Sequence, residues 1–209
     1  MVRRSLQAEG LQLWRGERHV LAGIDLGVGA GEMLQVTGAN GSGKTSLLRT
    51  LCGLMHPEEG RVLWAGRDVQ EDLPAFHSQL VYLGHEPPLK ADLTARENLQ
   101  YWVGMRRPLS AAAITAGLER VGAGAWGEQA VRTLSAGQKR RVALAAVILC
   151  AAPLWLLDEP ATHLDGDGQR LVGRLIDEQL ASGGLVIAAV HQDLAVKSAG
   201  PRRLELSTA

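Results

Sequence analysis

The segment GANGSGKT, residues 38–45, holds the residue types best suited to binding a chain of phosphates. It matches the pattern G-x-x-x-x-G-K-[ST] and lies between the strand-like segment EMLQV and the helix-like segment SLL. Glycines let backbone N–H groups surround an anion, while Lys44 adds positive charge for the β- and γ-phosphates and Thr45 offers a hydroxyl to Mg²⁺. The alternative, a glycine-rich turn without a ligand, is disfavoured by the flanking strand and helix. The segment therefore predicts a nucleoside triphosphate site.

Two carboxylates follow an apolar segment at residues 153–159, PLWLLDE. Asp158 and Glu159 would stand at the carboxyl end of a buried strand, where ligands gather in an open α/β sheet. We expect Asp158 to hold Mg²⁺ and Glu159 to orient and polarise a water molecule beside the γ-phosphate. A solvated strand end is the alternative, and it is weaker because neighbouring buried carboxylates without a cation cost free energy.

His191 follows a third apolar segment, LVIAAV, at residues 185–190. A histidine after a strand is by itself more often structural. Here the same sheet edge is predicted to carry the phosphate loop and both carboxylates, so we interpret His191 as a contact to the γ-phosphate.

Strand and helix patterns alternate along the chain in a way that would bring these residues together. Buried apolar strands separated by helices indicate a parallel α/β sheet, with the first strands forming an antiparallel edge. An alanine-rich region from about 93 to 150 lacks strand patterns and predicts about three helices inserted into that sheet. The predicted strands lie near 11–14, 20–28, 32–36, 61–64, 80–83, 153–157 and 184–190, and the predicted flanking helices near 44–53 and 168–181.

Composition excludes several classes of protein. The 209 residues carry 22 basic and 22 acidic side chains, so net charge predicts no attraction to nucleic acid or to a membrane surface. The cluster at 139–141, KRR, is interpreted as a solvated helix face, and Cys52 and Cys150 as core thiols of a reducing cytoplasm. The apolar run at 142–157 is too short to span a bilayer and contains Pro153, which predicts a packed helix, a turn and a buried strand.

The segment LSAGQ, residues 134–138, identifies a family when it is combined with the other motifs. Taken alone, it is a helix start capped by Ser135, with N–H groups that could bind an anion. Taken in order with GANGSGKT, LLDEP and VHQD, it resembles the signature motif of the ATP-binding cassette (ABC) ATPases. The resemblance covers about Leu11 to Asp193.

That resemblance implies a fold and a domain organisation. The fold would be an α/β P-loop NTPase, with a RecA-like parallel sheet core, an N-terminal antiparallel β part and an inserted helical subdomain. Residues 1–209 would form one nucleotide-binding domain, with the helical subdomain at approximately 86–150.

The resemblance also implies roles for individual residues, with ATP and Mg²⁺ as the bound species. Lys44, Glu159 and His191 would be catalytic, and Thr45, Asp158 and His85 would face the metal. Family ATPases form head-to-tail homodimers, in which the signature of one chain closes over the nucleotide on the other. The nucleotide would be contacted by Trp14, as the adenine-stacking aromatic, by Gly38, Ala39, Asn40, Gly41, Ser42, Gly43, Lys44, Thr45 and Ser46, by His85, by Ser135, Gly137 and Gln138, and by Asp165 in the loop that crosses to the partner.

His85 is a departure from the family pattern. In the segment LGHEPPLKADLTARENL it occupies the position of a glutamine that touches Mg²⁺ or water beside the groove for a membrane partner. From the residues alone, His85 and Glu86 could be a metal site, an acid/base pair or two polar turn residues. A neutral imidazole can ligate a metal or accept a hydrogen bond, whereas a protonated one would repel Mg²⁺.

GHEPP, LSAGQKRRVALA and VLWAG together resemble one branch of the family, the haem-export ATPases of cytochrome c maturation. This branch implies a peripheral ATPase on the cytoplasmic face of the bacterial inner membrane, joined to a permease and to small haem-handling membrane subunits. Its ATP cycle would release a haem-loaded chaperone. No C-x-x-C-H motif is present, so we expect no direct haem binding by this chain. The balanced charge gives the expectation of no nucleic-acid partner.

Three alternative functions are considered. The chain could drive another short exporter, or it could be a soluble ABC ATPase acting on ribosomes or DNA. A P-loop kinase is disfavoured because LSAGQ would then have no role.

Overall fold

The computed structural model describes residues 4–197, 200 and 202–207. Strands and helices alternate along these residues, with three short 3₁₀ turns at Val69–Glu71, Gly124–Trp126 and Val131–Thr133. In chain order the elements are β1 Ser5–Arg15, β2 Arg18–Gly29, β3 Met33–Gly38, α1 Lys44–Leu51, β4 Glu59–Trp64, β5 Arg67–Asp68, α2 Leu73–Ser78, β6 Leu80–Leu83, α3 Ala95–Gly104, α4 Ala111–Arg120, α5 Ala136–Cys150, β7 Leu154–Asp158, α6 Gly166–Ala181, β8 Leu185–Ala189 and β9 Arg202–Leu206.

Five strands form a parallel sheet in the order β6-β7-β8-β3-β9. Strands β7 and β8 are buried along their whole length, which explains why their sequences are apolar on both faces rather than alternating. Because all five strands run the same way, their carboxyl ends meet at one edge. That edge receives the loop after β3 and the polar residues that follow β6, β7 and β8.

Residues alternate between two apolar cores on the two faces of this sheet. One core contains Trp155, Val186 and Ala188 and packs against the helices α3 to α6. The other contains Leu156 and Ile187 and packs against α1 and the N-terminal strands. The sheet is therefore the middle layer of three.

The remaining strands form a separate antiparallel sheet in the order β2-β1-β4-β5. The expectation that the first strands would be an edge of the parallel sheet was wrong in this respect. The position beside β3 is taken by β9 instead, and the apolar face of the antiparallel sheet packs over α1.

Helices α3, α4 and α5 lie between β6 and β7 in sequence and pack on one another. Their ends are marked by polar caps. Thr94 with Glu97 caps α3, and Ser135 with Gln138 caps α5, each through a reciprocal pair of hydrogen bonds. The predicted cap at Ser135 is confirmed. The predicted helix, turn and strand over 142–157 are confirmed as well, by α5 and β7 on either side of Pro153.

Within the described residues, no helix is both long enough and apolar enough to cross a bilayer. Cys52 and Cys150 are buried free thiols, and burial raises the pKa of Cys52 to about 11. The burial of both thiols confirms their predicted place in the core.

The central strand β8 should contribute strongly to stability. We expect Ile187→Ala, at a side chain with no exposed surface, to lower the free energy of unfolding by about 2–5 kcal/mol through lost burial and a cavity. Leu54→Ala is the control, because Leu54 is 60% exposed and should change stability by less than about 0.5 kcal/mol. Urea unfolding measures both, and equal effects would contradict the placement of the core.

Candidate functional site

The loop between β3 and α1 is shaped to surround an anion. Gly43 caps α1 with a φ of 103°, and no side chain accepts from the first turn of the helix. The N–H groups at this helix start therefore point into the loop. Lys44 Nζ donates to the carbonyls of Gly38, at 2.8 Å, and Ala39, at 3.1 Å. The lysine thus lies over the same loop that the N–H groups face.

Two details of the loop fit a phosphate ligand. A side chain at Gly43 would be forced against Val20, because a Cβ there would stand 2.9 Å from Val20 Cγ1. Ser42 is buried, and its hydroxyl has no hydrogen-bond partner among the described residues. Polar atoms buried without a partner are rare in proteins, so this hydroxyl is suited to a ligand oxygen.

Thr45, in the first turn of α1, meets Asp158 at the end of β7. The hydroxyl of Thr45 donates to Asp158 Oδ2 at 2.7 Å, and Asp158 is only 1% exposed. A hydroxyl and a carboxylate at this separation are hard oxygen donors of the kind that Mg²⁺ prefers. The residues present therefore fit a magnesium ion held together with the nucleotide.

Glu159 lies between two histidines. His191 Nε2 is 2.6 Å from Glu159 Oε1, and His85 Nδ1 is 3.5 Å from Glu159 Oε2. The backbone of Glu159 has a φ of 49°, a left-handed conformation that is costly for a residue with a side chain. Its N–H donates to the carbonyl of Ala189 in β8, which helps to hold that conformation. The structure thus brings His85, Glu159 and His191 together.

Arg140 is a residue of the site whose burial the sequence did not predict. The KRR cluster was expected to be a solvated helix face, but Arg140 is 2% exposed. Its guanidinium donates to five carbonyls: those of Gly84 and His85 after β6, that of Asp158 at the end of β7, and those of Glu159 and Pro160 after it. Burial lowers the pKa of Arg140 to about 10, against the opposing charges of Asp158 and Glu159, so it stays cationic at neutral pH.

A signal for this burial exists in the sequence. Arg140, Ala143 and Val147 follow the i, i+3, i+7 spacing of one helix face, and the latter two are core residues. A charged residue on an apolar stripe requires hydrogen-bond partners. Here the partners are the backbone carbonyls that follow β6 and those at the end of β7.

The signature segment at the start of α5 is held by its own cap and by the loop before α6. Ser135 Oγ accepts from the N–H of Gln138, while Gln138 Oε1 accepts from the N–H of Ser135. A Cβ at Gly137 would stand 2.7 Å from the carbonyl oxygen of His163, so only glycine fits. Asp165 caps α6, and the N–H of Gly168, helped by Arg141, lowers the pKa of its carboxyl.

Trp14 lies near the end of β1, where its ring stacks on His19 with centroids 4.0 Å apart and planes 2° apart. The cleft beside the phosphate loop, of about 460 Å³, is lined instead by Arg15, Arg18 and Val20 from the same hairpin, by Asn40, Gly41, Gly43, Lys44, Thr45 and Ser46 from the loop, and by Glu159.

Comparison with known proteins gives the family. Residues 21–162 match the model of the ABC transporter family, which is more than half of the chain. This chain belongs to the ABC transporter family. It is an ABC-type ATPase.

Curated ABC relatives resemble it along most of their length. The cytochrome c biogenesis ATP-binding export protein CcmA of Methylococcus capsulatus is 46% identical over 193 residues, which cover 92% of this chain and 93% of that protein. The protein of the same name from Nitrosococcus oceani is 44% identical, with 97% and 92% covered.

Solved structures of the family share the fold. A putative ABC transporter ATP-binding protein from Pyrococcus furiosus superposes with a TM-score of 0.84 at 24% identity, covering 97% of both chains. The ATP-binding subunit of an ABC transporter superposes with a TM-score of 0.80 at 26% identity, covering 89% of this chain and 79% of that one. The expected P-loop NTPase fold is therefore confirmed.

Arg140 should be necessary for turnover. We expect Arg140→Met to lower the free energy of unfolding by on the order of 3 kcal/mol, because buried carbonyls lose their donor, and to slow ATP hydrolysis roughly 100-fold by displacing Glu159. Arg140→Lys, which keeps the charge without the five-donor fork, should fold and still be slow.

Lys139→Met is the matched control on the same helix and should resemble the wild type in both respects. Urea unfolding and phosphate release measure the effects. Wild-type turnover in Arg140→Lys would contradict the positioning role.

Proposed function

We propose that this chain is the ATP-hydrolysing motor subunit of a membrane ABC complex for cytochrome c biogenesis. The observation that carries the proposal is 46% identity to a curated cytochrome c biogenesis ATP-binding export protein over nearly the whole of both chains. The geometry of the site supports ATP hydrolysis, because the phosphate loop, the oxygens of Thr45 and Asp158, and the carboxylate of Glu159 lie together at one edge of the sheet.

The residues of the site have distinct tasks in this reaction. The loop of residues 38–46 and Lys44 would bind the phosphates, and Thr45 and Asp158 would hold Mg²⁺, which would supply charge stabilisation at the phosphoryl oxygens. Glu159 orients a water molecule, which attacks the γ-phosphorus as the bond to the β-phosphate oxygen breaks. His191 and His85 lie on either side of Glu159 and would hold its carboxylate in place. His191 would also contact the γ-phosphate.

We further propose a head-to-tail homodimer. The chain carries one phosphate loop and one signature, so two-fold symmetry would complete two identical sites. Ser135, Gly137 and Gln138 of one chain would close over the nucleotide on Lys44 of the other, with Asp165 near the crossing loop. The close approach of Gly137 to the carbonyl of His163 supports this dimer. It joins the signature segment and the predicted crossing loop into one surface that a second chain could contact.

The complex would place this subunit peripherally on the cytoplasmic face of the bacterial inner membrane. Its partners would be an integral-membrane permease and small haem-handling subunits, and its cycle would release a haem-loaded chaperone. A curated relative in Salmonella choleraesuis, at 43% identity, is named a putative bifunctional cytochrome c-type biogenesis protein CcmAE; the match covers 98% of this chain and 60% of that protein. Its name supports an association of this ATPase with a second biogenesis function.

Removing the catalytic carboxylate should trap the dimer. Glu159→Gln is expected to bind Mg·ATP normally, to lose hydrolysis by about 100-fold or more, and to elute as a dimer in size exclusion with ATP. Adding Lys44→Ala to the same protein should abolish the dimer, because phosphate binding is lost. A monomer in Glu159→Gln with saturating ATP would contradict the proposed assembly.

The biological role is tested in the source bacterium. A strain lacking this gene should lose covalently bound haem from its periplasmic c-type cytochromes and should keep its non-covalent haem proteins. The wild-type gene should restore the signal on a haem-stained gel, whereas the Lys44→Ala gene should not. Normal c-type cytochromes in the deleted strain would favour the motor of another exporter.

A further inference from the structure

A second cavity lies at the edge of the parallel sheet opposite the phosphate loop. Its volume is about 350 Å³, and its wall includes Pro153 and Gly184, which directly precede β7 and β8. Strand β7 has five residues, so its two ends are roughly 13 Å apart. Among the described residues, none lines both this cavity and the cleft beside the phosphate loop. The cavity is therefore a separate feature of the fold.

The inner wall of the cavity is apolar. It is formed by Ile148 of α5, Ala152, Trp155 of β7 and Leu175 of α6, and the last three are buried members of the core. Pockets that bind small molecules have walls of this kind, with a few polar groups that fix the orientation of the ligand. The apolar wall suits a hydrocarbon or aromatic group.

Trp155 supplies a polar atom to this wall. Its side chain is only 4% exposed, and its indole N–H has no hydrogen-bond partner among the described residues. Buried donors without a partner are rare, and each costs about 1–3 kcal/mol. A hydrogen-bond acceptor that entered the cavity would remove this cost.

The carbonyl groups around the cavity are already paired. Gln179 Nε2 donates to the carbonyls of Ala152, at 3.0 Å, and Pro153, at 3.1 Å. The carbonyl of Gln179 itself accepts from the N–H of Gly184 at 2.9 Å. Because these acceptors are occupied while the indole donor is not, the cavity favours a ligand that accepts hydrogen bonds over one that donates them.

The charged residues that line the cavity carry a surplus of positive charge. They are Arg4, Arg120 and Glu178. Arg120 forms an ion pair with Glu178, which leaves Arg4 as an exposed guanidinium with no ion pair among the described residues. A free guanidinium presents N–H groups in a fork that matches the two oxygens of a carboxylate.

We propose that this cavity binds a small organic carboxylate with an aromatic or branched apolar body. The carboxylate accepts hydrogen bonds from Arg4, an acceptor oxygen pairs with the indole N–H of Trp155, and the body packs on the apolar wall. Because Arg120 belongs to α4 and Glu178 to α6, an occupant would link the inserted helices to a helix that flanks the sheet. The proposal does not rest on the proposed role in cytochrome c biogenesis.

Benzoate and its neutral isostere benzamide are suitable probes. The whole ¹⁵N-labelled chain is titrated without nucleotide, and the indole signals of its five tryptophans are followed by NMR. The signal of Trp155 is the one that Trp155→Phe lacks. We expect benzoate to shift this signal saturably and benzamide to bind at least about tenfold more weakly, because it has no charge.

Three variants at charged side chains test the cavity without disturbing the core. Arg4→Gln should weaken benzoate roughly tenfold, because a charged hydrogen bond is lost. Glu178→Gln should strengthen it about threefold, because it removes the one negative charge among these three side chains and releases Arg120. Arg67→Gln, at an exposed arginine of β5, is the matched control and should bind benzoate as the wild type does.

Three results would overturn the proposal. A Trp155 signal that benzoate leaves unmoved would mean that a water molecule, and not a ligand, pairs with the indole N–H. Equal affinity for benzamide would exclude an anion site. Unchanged benzoate affinity in Arg4→Gln would place the probe elsewhere on the chain.

Discussion

The parallel register of β6, β7, β8 and β3 is the constraint on which the site depends. A histidine follows β6, two carboxylates lie at the end of β7, another histidine follows β8, and the phosphate loop follows β3. Each of these groups is inert alone. Because the ends coincide at one edge, residues as far apart in sequence as Thr45 and Asp158 come within hydrogen-bond distance. The chemistry is assembled by strand order and not by any single motif.

Arg140 connects the residues that follow β6 with those that follow β7. A buried cation is expensive unless its donors are satisfied, and here five carbonyls satisfy it. These carbonyls belong to the two loops that hold His85 and Glu159. A shift of the loop after β6 therefore cannot leave the backbone of Glu159 unaffected. The same interaction that offsets the cost of burial also connects the loop of His85 to the position of Glu159.

Much of this architecture could be predicted from the sequence. Strands β3, β6, β7 and β8 were predicted because their apolar runs end in polar motifs, and the cap of α5 followed from Ser135. Strand β9 was missed, since RRLEL has only two apolar residues and is exposed along much of its length. The short elements β5 and α2 were missed because a segment of so few residues is too short to show a hydrophobic periodicity.

Side-chain placement was less predictable than backbone. Glu159 and His191 were assigned to one site from strand ends, but the 3.5 Å approach of His85 to Glu159 depends on the path of a loop. The cleft beside the phosphate loop is lined by Arg15 and not by Trp14, which depends on the face of a twisted hairpin that meets it, and local register shifts hide that from sequence. Arg140 was predicted to be solvent-exposed because it is charged, and this prediction ignored the helical spacing that places it beside apolar neighbours.

The late position of β9 has a consequence for how the protein is made. Strand β3 carries the phosphate loop near the start of the chain, yet both of its neighbours, β8 and β9, are among the last elements to be synthesised. Until residues 202–206 have left the ribosome, β3 lacks one complete row of hydrogen bonds. The nascent chain therefore has to protect an early apolar strand through most of translation.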